Sequence, residues 1–245
     1  MDSFYWFYLL LFIVAFLYAS VGHGGASGYL ALMVLFSVSP AVMKPTALLL
    51  NLFVSLTAFI QFYRGKHFVW KVFFPLALAS VPMAFVGGLI TIDATWYKKI
   101  LGLVLLFSVI RLLIPAKKNA AELKPSHFYG ALLMGAVIGL LSGMIGIGGG
   151  IILSPLLLFF KWTDQKQTAA ISALFIFVNS TSGLMGQLTN GIQFSADMYG
   201  YVGVAFVGGI GGAYFGAMKF KQSGMQKILA MVLAVASYKL LFTNA

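Results

Sequence analysis

Long apolar runs separated by short polar connections fill almost the whole chain. They fall near residues 4–21, 28–39, 46–63, 72–91, 97–114, 128–145, 151–160, 167–188, 198–218 and 225–243. A helix needs about 20 apolar residues to cross a bilayer, and eight of the runs are long enough. The other two, 28–39 and 151–160, have the length of half-membrane or re-entrant helices. The pattern therefore predicts an all-α membrane protein.

The composition agrees with one transmembrane domain over residues 1–245. Hydrophobic residues make up 61% of the chain and charged residues 9%, whereas a soluble domain carries about 25% charged residues. There is no cysteine, which excludes disulfides, thiolate metal sites and cysteine nucleophiles. No basic stretch precedes the first apolar run, so we expect a retained span rather than a cleaved signal peptide.

The net charge of +11 does not indicate nucleic-acid binding. No basic run is longer than two residues, and a basic face or stripe is missing. In a membrane protein, surplus Lys and Arg usually lie in cytoplasmic loops and orient the spans. We therefore expect the lipid bilayer as a partner and no nucleic acid.

The chain divides into two halves that share a layout. A polar linker at about 115–127 separates repeat one, about 1–114, from repeat two, about 128–245. Three matches follow in order at nearly constant offset, which indicates internal duplication. They are Gly22-x-Gly24-Gly25 with Gly146-x-Gly148-Gly149, Thr46-Ala47 with Thr168-Ala169, and Ala84-Phe85-Val86-Gly87-Gly88 with Ala205-Phe206-Val207-Gly208-Gly209.

The basic residues predict how the chain is oriented. If the linker faces the cytoplasm, only Lys44, Lys98, Lys99 and Lys239 of the 16 Lys and Arg lie on the other side. The positive-inside rule selects this arrangement, with both termini outside. Trp96 and Tyr97, beside two of these lysines, are typical of an interfacial aromatic belt.

When the membrane crossings are counted from that orientation, the first half starts outside and the second half starts inside. The two halves therefore form an inverted repeat. Each repeat then holds a Gly-broken span, one short half-helix and three further transmembrane helices. Inverted repeats with broken helices recur in secondary transporters, which bind substrate near the midplane where the repeats meet.

Consecutive glycines precede each short helix and predict a break in the backbone, because glycine is a poor helix former that tolerates unusual angles. Each short helix would present a positive dipole end and unpaired N–H groups, which favour an anion. The glycines of the breaks are Gly22, Gly24, Gly25, Gly146, Gly148, Gly149 and Gly150. By contrast, the evenly spaced Gly135, Gly139 and Gly143, and Gly208, Gly212 and Gly216, are typical of close helix packing.

The polar residues within the spans agree with an anion. All five carboxylates lie in predicted loops or at the terminus, whereas cation carriers usually need one within a span. We predict no metal, no cofactor and no catalytic residue. The neutral residues that we expect to bind the anion beside the glycines are Ser27, Asn51, Asn179, Ser180 and Thr181.

His23 is the only histidine within a predicted span. It can be a helix-packing donor, a proton acceptor, or a ligand donor that becomes cationic as the pH falls. The repeat alignment pairs it with Ile147, so the two breaks differ chemically. We include His23 among the candidate substrate-binding residues.

With its two glycine breaks, the sequence resembles the TauE/SafE sulfite exporter family of bacterial membrane transporters. The resemblance covers nearly the whole chain, and its most specific part is the segment from Gly143 to Ile152, followed by Pro155. It implies transport of small sulfur-containing anions, such as sulfite and organosulfonates, across the inner membrane. His23 within the first break departs from the family pattern.

The leading hypothesis is therefore a secondary carrier of small anions. A channel for an anionic or neutral solute is an alternative, since broken helices that meet at mid-membrane suit it too. An intramembrane enzyme lacks a paired histidine motif and an intramembrane Asp, and only His23 could serve a nucleophile such as Ser142. The sequence leaves the oligomeric state open, a homodimer being one option.

Overall fold

The computed structural model describes residues 2–20, 25–113, 123–192, 194, 196–216 and 222–242. These residues contain no strand and form ten helices, one for each apolar run, which confirms the all-α prediction. In chain order they are α1 (Asp2–Ser20), α2 (Ala26–Leu35), α3 (Pro40–Arg64), α4 (Trp70–Leu89), α5 (Ala94–Leu113), α6 (Phe128–Ile145), α7 (Gly150–Phe159), α8 (Gln165–Thr189), α9 (Ala196–Gly216) and α10 (Gln222–Phe242).

The helix lengths match a bilayer. Among the described residues, α3, α4, α6 and α8 are both long and apolar enough to cross a membrane. The helices α1, α5, α9 and α10 have 19 to 21 residues, or about 30 Å at 1.5 Å per residue. With 10 residues each, α2 and α7 reach about half that length. The chain is a multi-pass membrane protein.

Both short helices re-enter, a point that the sequence left open. Phe36, just after α2, packs against Phe7 near the start of α1, with the ring centroids 5.2 Å apart. In the second half, the Lys124 N–H before α6 donates to the Lys161 carbonyl after α7 at 2.9 Å. Each short helix thus returns to the end of the bundle where the preceding long helix began.

These two hairpins fix the directions of the helices. The pair α1–α2 begins and ends at one end of the bundle, and α3, α4 and α5 then alternate, so α6 begins at the opposite end. Lys239, near the end of α10, donates to the Leu35 carbonyl at the end of α2, which places the end of α10 beside the start of α1. The linker between α5 and α6 therefore lies at the other end from α1 and α10.

Several helix contacts recur in the two halves, as an inverted repeat predicts. The helix α4 packs on α6 and α8, whereas its counterpart α9 packs on α1 and α3, and the pairs α3–α8 and α5–α10 join the two halves. Gly25 and Gly149, which the repeat alignment equates, are the N-caps of α2 and α7 with φ of 81° and 78°. The duplication itself stays a prediction that these contacts support.

Glycines allow the closest helix contacts. A Cβ on Gly139 or Gly143 of α6 would overlap the carbonyls of Ser80 or Ala84 of α4, so α4 and α6 run parallel in close contact. Gly212 of α9 meets the Phe16 carbonyl of α1 in the same way. The packing role predicted for the evenly spaced glycines is confirmed at these positions.

The lysines that run against the predicted charge split have structural partners. Lys44 Nζ donates to the Ile90 carbonyl, the C-cap of α4, at 3.2 Å. Lys239 Nζ donates to the Val34 and Leu35 carbonyls at 3.0 and 3.2 Å, where it offsets the negative end of α2. Lys99 lies 5.2 Å from the ring centroid of Trp96, a cation–π contact.

The belt prediction stays a prediction for Trp96 and is wrong for Tyr97. Trp96 is 62% exposed, as a residue at the membrane surface would be, but Tyr97 is only 2% exposed. The Tyr97 hydroxyl donates to the Ile145 carbonyl at 3.0 Å. Helix periodicity turns this ring inward, where it binds the last residue of α6 before the second break.

Candidate functional site

The second glycine break has a backbone that only glycine adopts readily. Between the end of α6 and the start of α7, Gly146, Gly148 and Gly149 have φ of 90°, 71° and 78°. L side chains rarely adopt this left-handed region. The predicted break is therefore confirmed, with Gly149 as the N-cap of α7.

Gly148 brings both halves of the chain to one point. A Cβ there would lie 2.7 Å from Asn51 Nδ2 of α3 and 3.0 Å from Ser180 Oγ of α8. Asn51 Nδ2 itself donates to Ser180 Oγ at 3.2 Å. Both side chains are fully buried. Three predicted site residues, far apart in sequence, thus form one polar centre, which we call the Asn51–Ser180 centre.

Buried polar atoms in and near α3 and α8 have no protein partner among the described residues. Among them are Asn51 Oδ1, Asn179 Oδ1, Ser142 Oγ and both polar atoms of the Gln187 amide. Asn179 Nδ2 donates to the Phe175 carbonyl one turn earlier at 2.8 Å, which fixes the orientation of its amide. An unsatisfied buried polar group costs about 1–3 kcal/mol, so such atoms call for a ligand or water.

The first break is described only from Gly25 onward. Gly22, His23 and Gly24 lie outside the described residues. Gly25 has φ of 81° and caps α2, and Ser27 Oγ lies 2.7 Å from the Tyr18 hydroxyl. Ser27 therefore already has a protein partner.

Tyr29 is a candidate that the sequence reasoning missed. A Cβ on Gly25 would lie 2.7 Å from the Tyr29 hydroxyl, so the phenol folds back over the N-cap of α2. Its hydroxyl is buried without a partner in the described part of the chain. In an apolar helix a tyrosine is usually a core residue, and only its place in the first turn after the break could have singled it out.

Other predicted residues lie apart from the Asn51–Ser180 centre. Thr181 Oγ1 donates to the Phe177 carbonyl within its own helix at 2.8 Å. Gly146 packs against the backbone of Lys44, and Gly149 and Gly150 pack against Phe175 and Ile176. Of the second break, only Gly148 touches polar side chains in these contacts.

The described carboxylates lie at helix ends. Asp164 is the N-cap of α8, where it accepts from the Gln167 N–H at 2.8 Å. Asp93, in the connection before α5, accepts from the Thr95 N–H at 2.8 Å, and this bond lowers the pKa of the Asp93 carboxyl. Within the described residues, no group of three or more His, Cys, Asp or Glu could hold a metal ion.

Re-entrant helices around a buried polar centre are a recurrent architecture of secondary transporters. In the bilayer, irregular backbone survives only where protein or a polar cavity satisfies its hydrogen-bonding groups. Residues 7–240 match the family model described as Sulfite exporter TauE/SafE. The chain belongs to this family.

Relatives that cover most of the chain carry transporter names. A probable membrane transporter protein of Sinorhizobium fredii is 36% identical over 238 residues, which cover 96% of each chain. Another, of Methanocaldococcus jannaschii, is 26% identical and covers 80% of this chain and 78% of its own. A third, of Bacillus subtilis, is 24% identical and covers 95% and 98%. No solved structure matches the chain.

Family and relatives identify a membrane transporter, and not an enzyme. The resemblance drawn from the glycine breaks is thereby confirmed.

Proposed function

We propose that the protein is a secondary transporter of small anions in the bacterial inner membrane, with sulfite or a related sulfur oxyanion or organosulfonate as substrate. The anion binds near the bilayer midplane, between the two glycine breaks. The observation that carries the proposal is the contact of Gly148 with Asn51 Nδ2 and Ser180 Oγ. It joins a helix break to hydrogen-bond donors from both halves of the chain.

The chemistry of this centre suits a monoanion. The first N–H groups of a helix have no partner within it, and a helix N-terminus carries about half a positive charge. Two such ends, at Gly25 and Gly149, together offset about one negative charge. The amide of Asn51 and the hydroxyl of Ser180 add neutral donors without repulsive charge.

Transport requires the centre to open. Asn51 and Ser180 are both 0% exposed, so this conformation is closed at the proposed site. Rocking of one repeat against the other around a fixed site is the usual way in which such folds alternate access. The pairs α3–α8 and α5–α10, which join the halves, are the contacts that would shift.

Uptake into proteoliposomes tests the proposal. Purified protein should take up labelled sulfite, or another sulfur anion from a panel of thiosulfate, sulfate and taurine, with saturation. Vesicles preloaded with unlabelled substrate should show counterflow, which a carrier gives and a channel does not. Saturable uptake without counterflow would favour the channel alternative, and uptake of none of these anions would overturn the proposal.

The orientation of the transporter in the membrane is also part of the proposal. The excess of basic residues at the linker end supports an orientation with both termini outside the cytoplasm. The oligomeric state stays open, with a homodimer as one option.

A further inference from the structure

Gln187 of α8 carries a buried amide whose polar atoms are both unpaired. The side chain is 1% exposed, and neither Nε2 nor Oε1 has a hydrogen-bond partner in the part of the chain that the structure describes. A flip of the amide exchanges the two atoms and supplies a partner to neither. Buried polar side chains in native proteins are bound to protein, to water or to a ligand.

Gln187 lies on the face of α8 that carries Ser180. Seven residues separate the two, and seven residues turn a helix by about 700°, or nearly two full turns, with a rise of about 10 Å. A Cβ on Gly183, between them, would lie 3.5 Å from Leu48 Cδ1 of α3. One side of α8 therefore carries in order the Ser180 hydroxyl, a glycine close to α3, and the Gln187 amide.

The amide lies between the Asn51–Ser180 centre and the end of the bundle where α3 begins. Asn190, three residues after Gln187, donates through Nδ2 to the carbonyl of Leu89, the last residue of α4, at 2.8 Å. The three residues that follow Gln187 are exposed. Gln187 is thus the last buried residue of α8 before the surface. On the predicted orientation, this is the outer end.

An amide favours a ligand that both accepts and donates hydrogen bonds. Nε2 donates and Oε1 accepts, whereas a fully deprotonated oxyanion can only accept and would be repelled by Oε1. A singly protonated oxyanion, such as hydrogensulfite in its O–H form, can accept from Nε2 and donate to Oε1. Asn51 Oδ1, at the centre, is a second buried acceptor without a partner among the described residues. Both positions therefore favour an anion that carries a donor.

We propose that Gln187 is a second binding position on the substrate path, about 10 Å along α8 from Ser180. Its amide selects anions that carry a hydrogen-bond donor, such as hydrogensulfite, over anions that carry none. Ser180 and Gln187 then bind the anion in turn as it moves along α8. This inference rests on the proposed function and specifies the form of the anion that is moved.

Replacement of Gln187 by methionine tests the second position. Methionine is similar in length and helix propensity but lacks both polar atoms. Loss of unpaired polar atoms does not cost stability, so Gln187→Met should keep or raise the thermal midpoint in detergent. A hydrogen bond to a charged group changes affinity about tenfold or more, so the KM for labelled sulfite in proteoliposomes should rise at least about tenfold.

Two further variants accompany this measurement. Gln61→Met makes the same change at an exposed position of α3, so it is the matched control and should have the KM of wild type. Gln187→Leu removes the amide with a different apolar side chain and should behave as Gln187→Met does. A packing fault particular to methionine therefore does not decide the test.

Competition by methanesulfonate tests the selectivity. This anion has three oxygens and one negative charge, as hydrogensulfite has, but no O–H group. At one slightly acidic pH, where hydrogensulfite predominates, wild type should need at least about tenfold more methanesulfonate than unlabelled sulfite to halve labelled uptake. Gln187→Met should narrow this ratio, because it loses the acceptor that distinguishes the two anions.

The outcomes separate the inference from the proposed function. If wild type moves sulfite and both Gln187 variants keep its KM, the second position is refuted while the transporter stands, and the amide binds water only. A lower thermal midpoint in both variants would refute it as well, because the amide would then have structural partners. A raised KM with an unchanged methanesulfonate ratio would refute the selectivity. If wild type moves no anion of the panel, the proposed function fails and the inference fails with it.

Discussion

Replacement of Gly148 by alanine probes the proposed site with a single methyl group. Gly148 has φ of +71°, and the new Cβ would lie 2.7 Å from Asn51 Nδ2. Ordinary contact begins at 3.4 Å, so Asn51 or the break must move by about 0.7 Å, the difference of the two distances. A displacement near 1 Å in a binding constellation can cost about a hundredfold in rate. We expect Gly148→Ala to lose at least about tenfold in kcat/KM for sulfite uptake.

Gly191 offers a control for the backbone strain alone. Its φ of +76° is nearly that of Gly148, but a Cβ there meets nothing within 4 Å. Alanine in the left-handed region costs roughly 1–2 kcal/mol at either position, so both variants should lower the thermal midpoint in detergent. Only Gly148→Ala should lose transport.

The assay compares initial rates of labelled sulfite uptake at equal amounts of reconstituted protein. Uptake by Gly148→Ala as fast as that of wild type would refute the assignment of Gly148 and Asn51 to the site, because the added methyl group would then have no effect on transport. Equal loss of uptake in Gly148→Ala and Gly191→Ala would refute it as well, because backbone strain alone would then explain the loss.

Four further predictions follow from the same account. Asn51→Asp keeps the shape of the side chain but adds a negative charge, so sulfite affinity should fall at least about tenfold at pH 8 and recover as the pH is lowered; tighter binding would indicate a cation site. His23→Gln keeps a donor but cannot titrate, so transport at neutral pH should persist with a flatter pH profile, and an unchanged profile would assign the proton to the substrate. A reporter fused after Ala245 should be active outside the cytoplasm, and activity restricted to the cytoplasm would reverse the predicted orientation. Asp164→Ala removes the N-cap of α8 and should reduce stability by about 1 kcal/mol with no change in KM; an unchanged thermal midpoint would contradict the capping role.

Much of the fold was predictable because hydrophobic runs alone determine where helices form in a membrane. Each run became a helix, and Gly146, Gly148 and Gly149 took the left-handed angles that consecutive glycines suggest. Whether the short helices cross or return was not predictable, since a run of 10–12 residues fits either course. The contacts of Phe7 with Phe36 and of Lys124 with Lys161 decide it, and they join residues distant in sequence.

The candidate site was predictable in its residue types but not in its pairing. Asn51 and Ser180 were candidates because they are neutral polar residues in apolar spans, yet their contact depends on how α3 crosses α8. Tyr97 was misread because aromatic residues beside lysines are typical of the membrane surface, whereas its hydroxyl meets a buried carbonyl of α6. Tyr29 was missed because a tyrosine within an apolar helix is usually a core residue.

The most direct test of the central claim is an experimental structure with selenite, whose selenium scatters strongly and whose shape and charge resemble those of sulfite. The account predicts anomalous density between Gly148 and the Asn51–Ser180 pair, with oxygens within about 3 Å of Asn51 Nδ2. Density confined to the surface, with none at the Asn51–Ser180 centre at a concentration that saturates transport, would contradict the account.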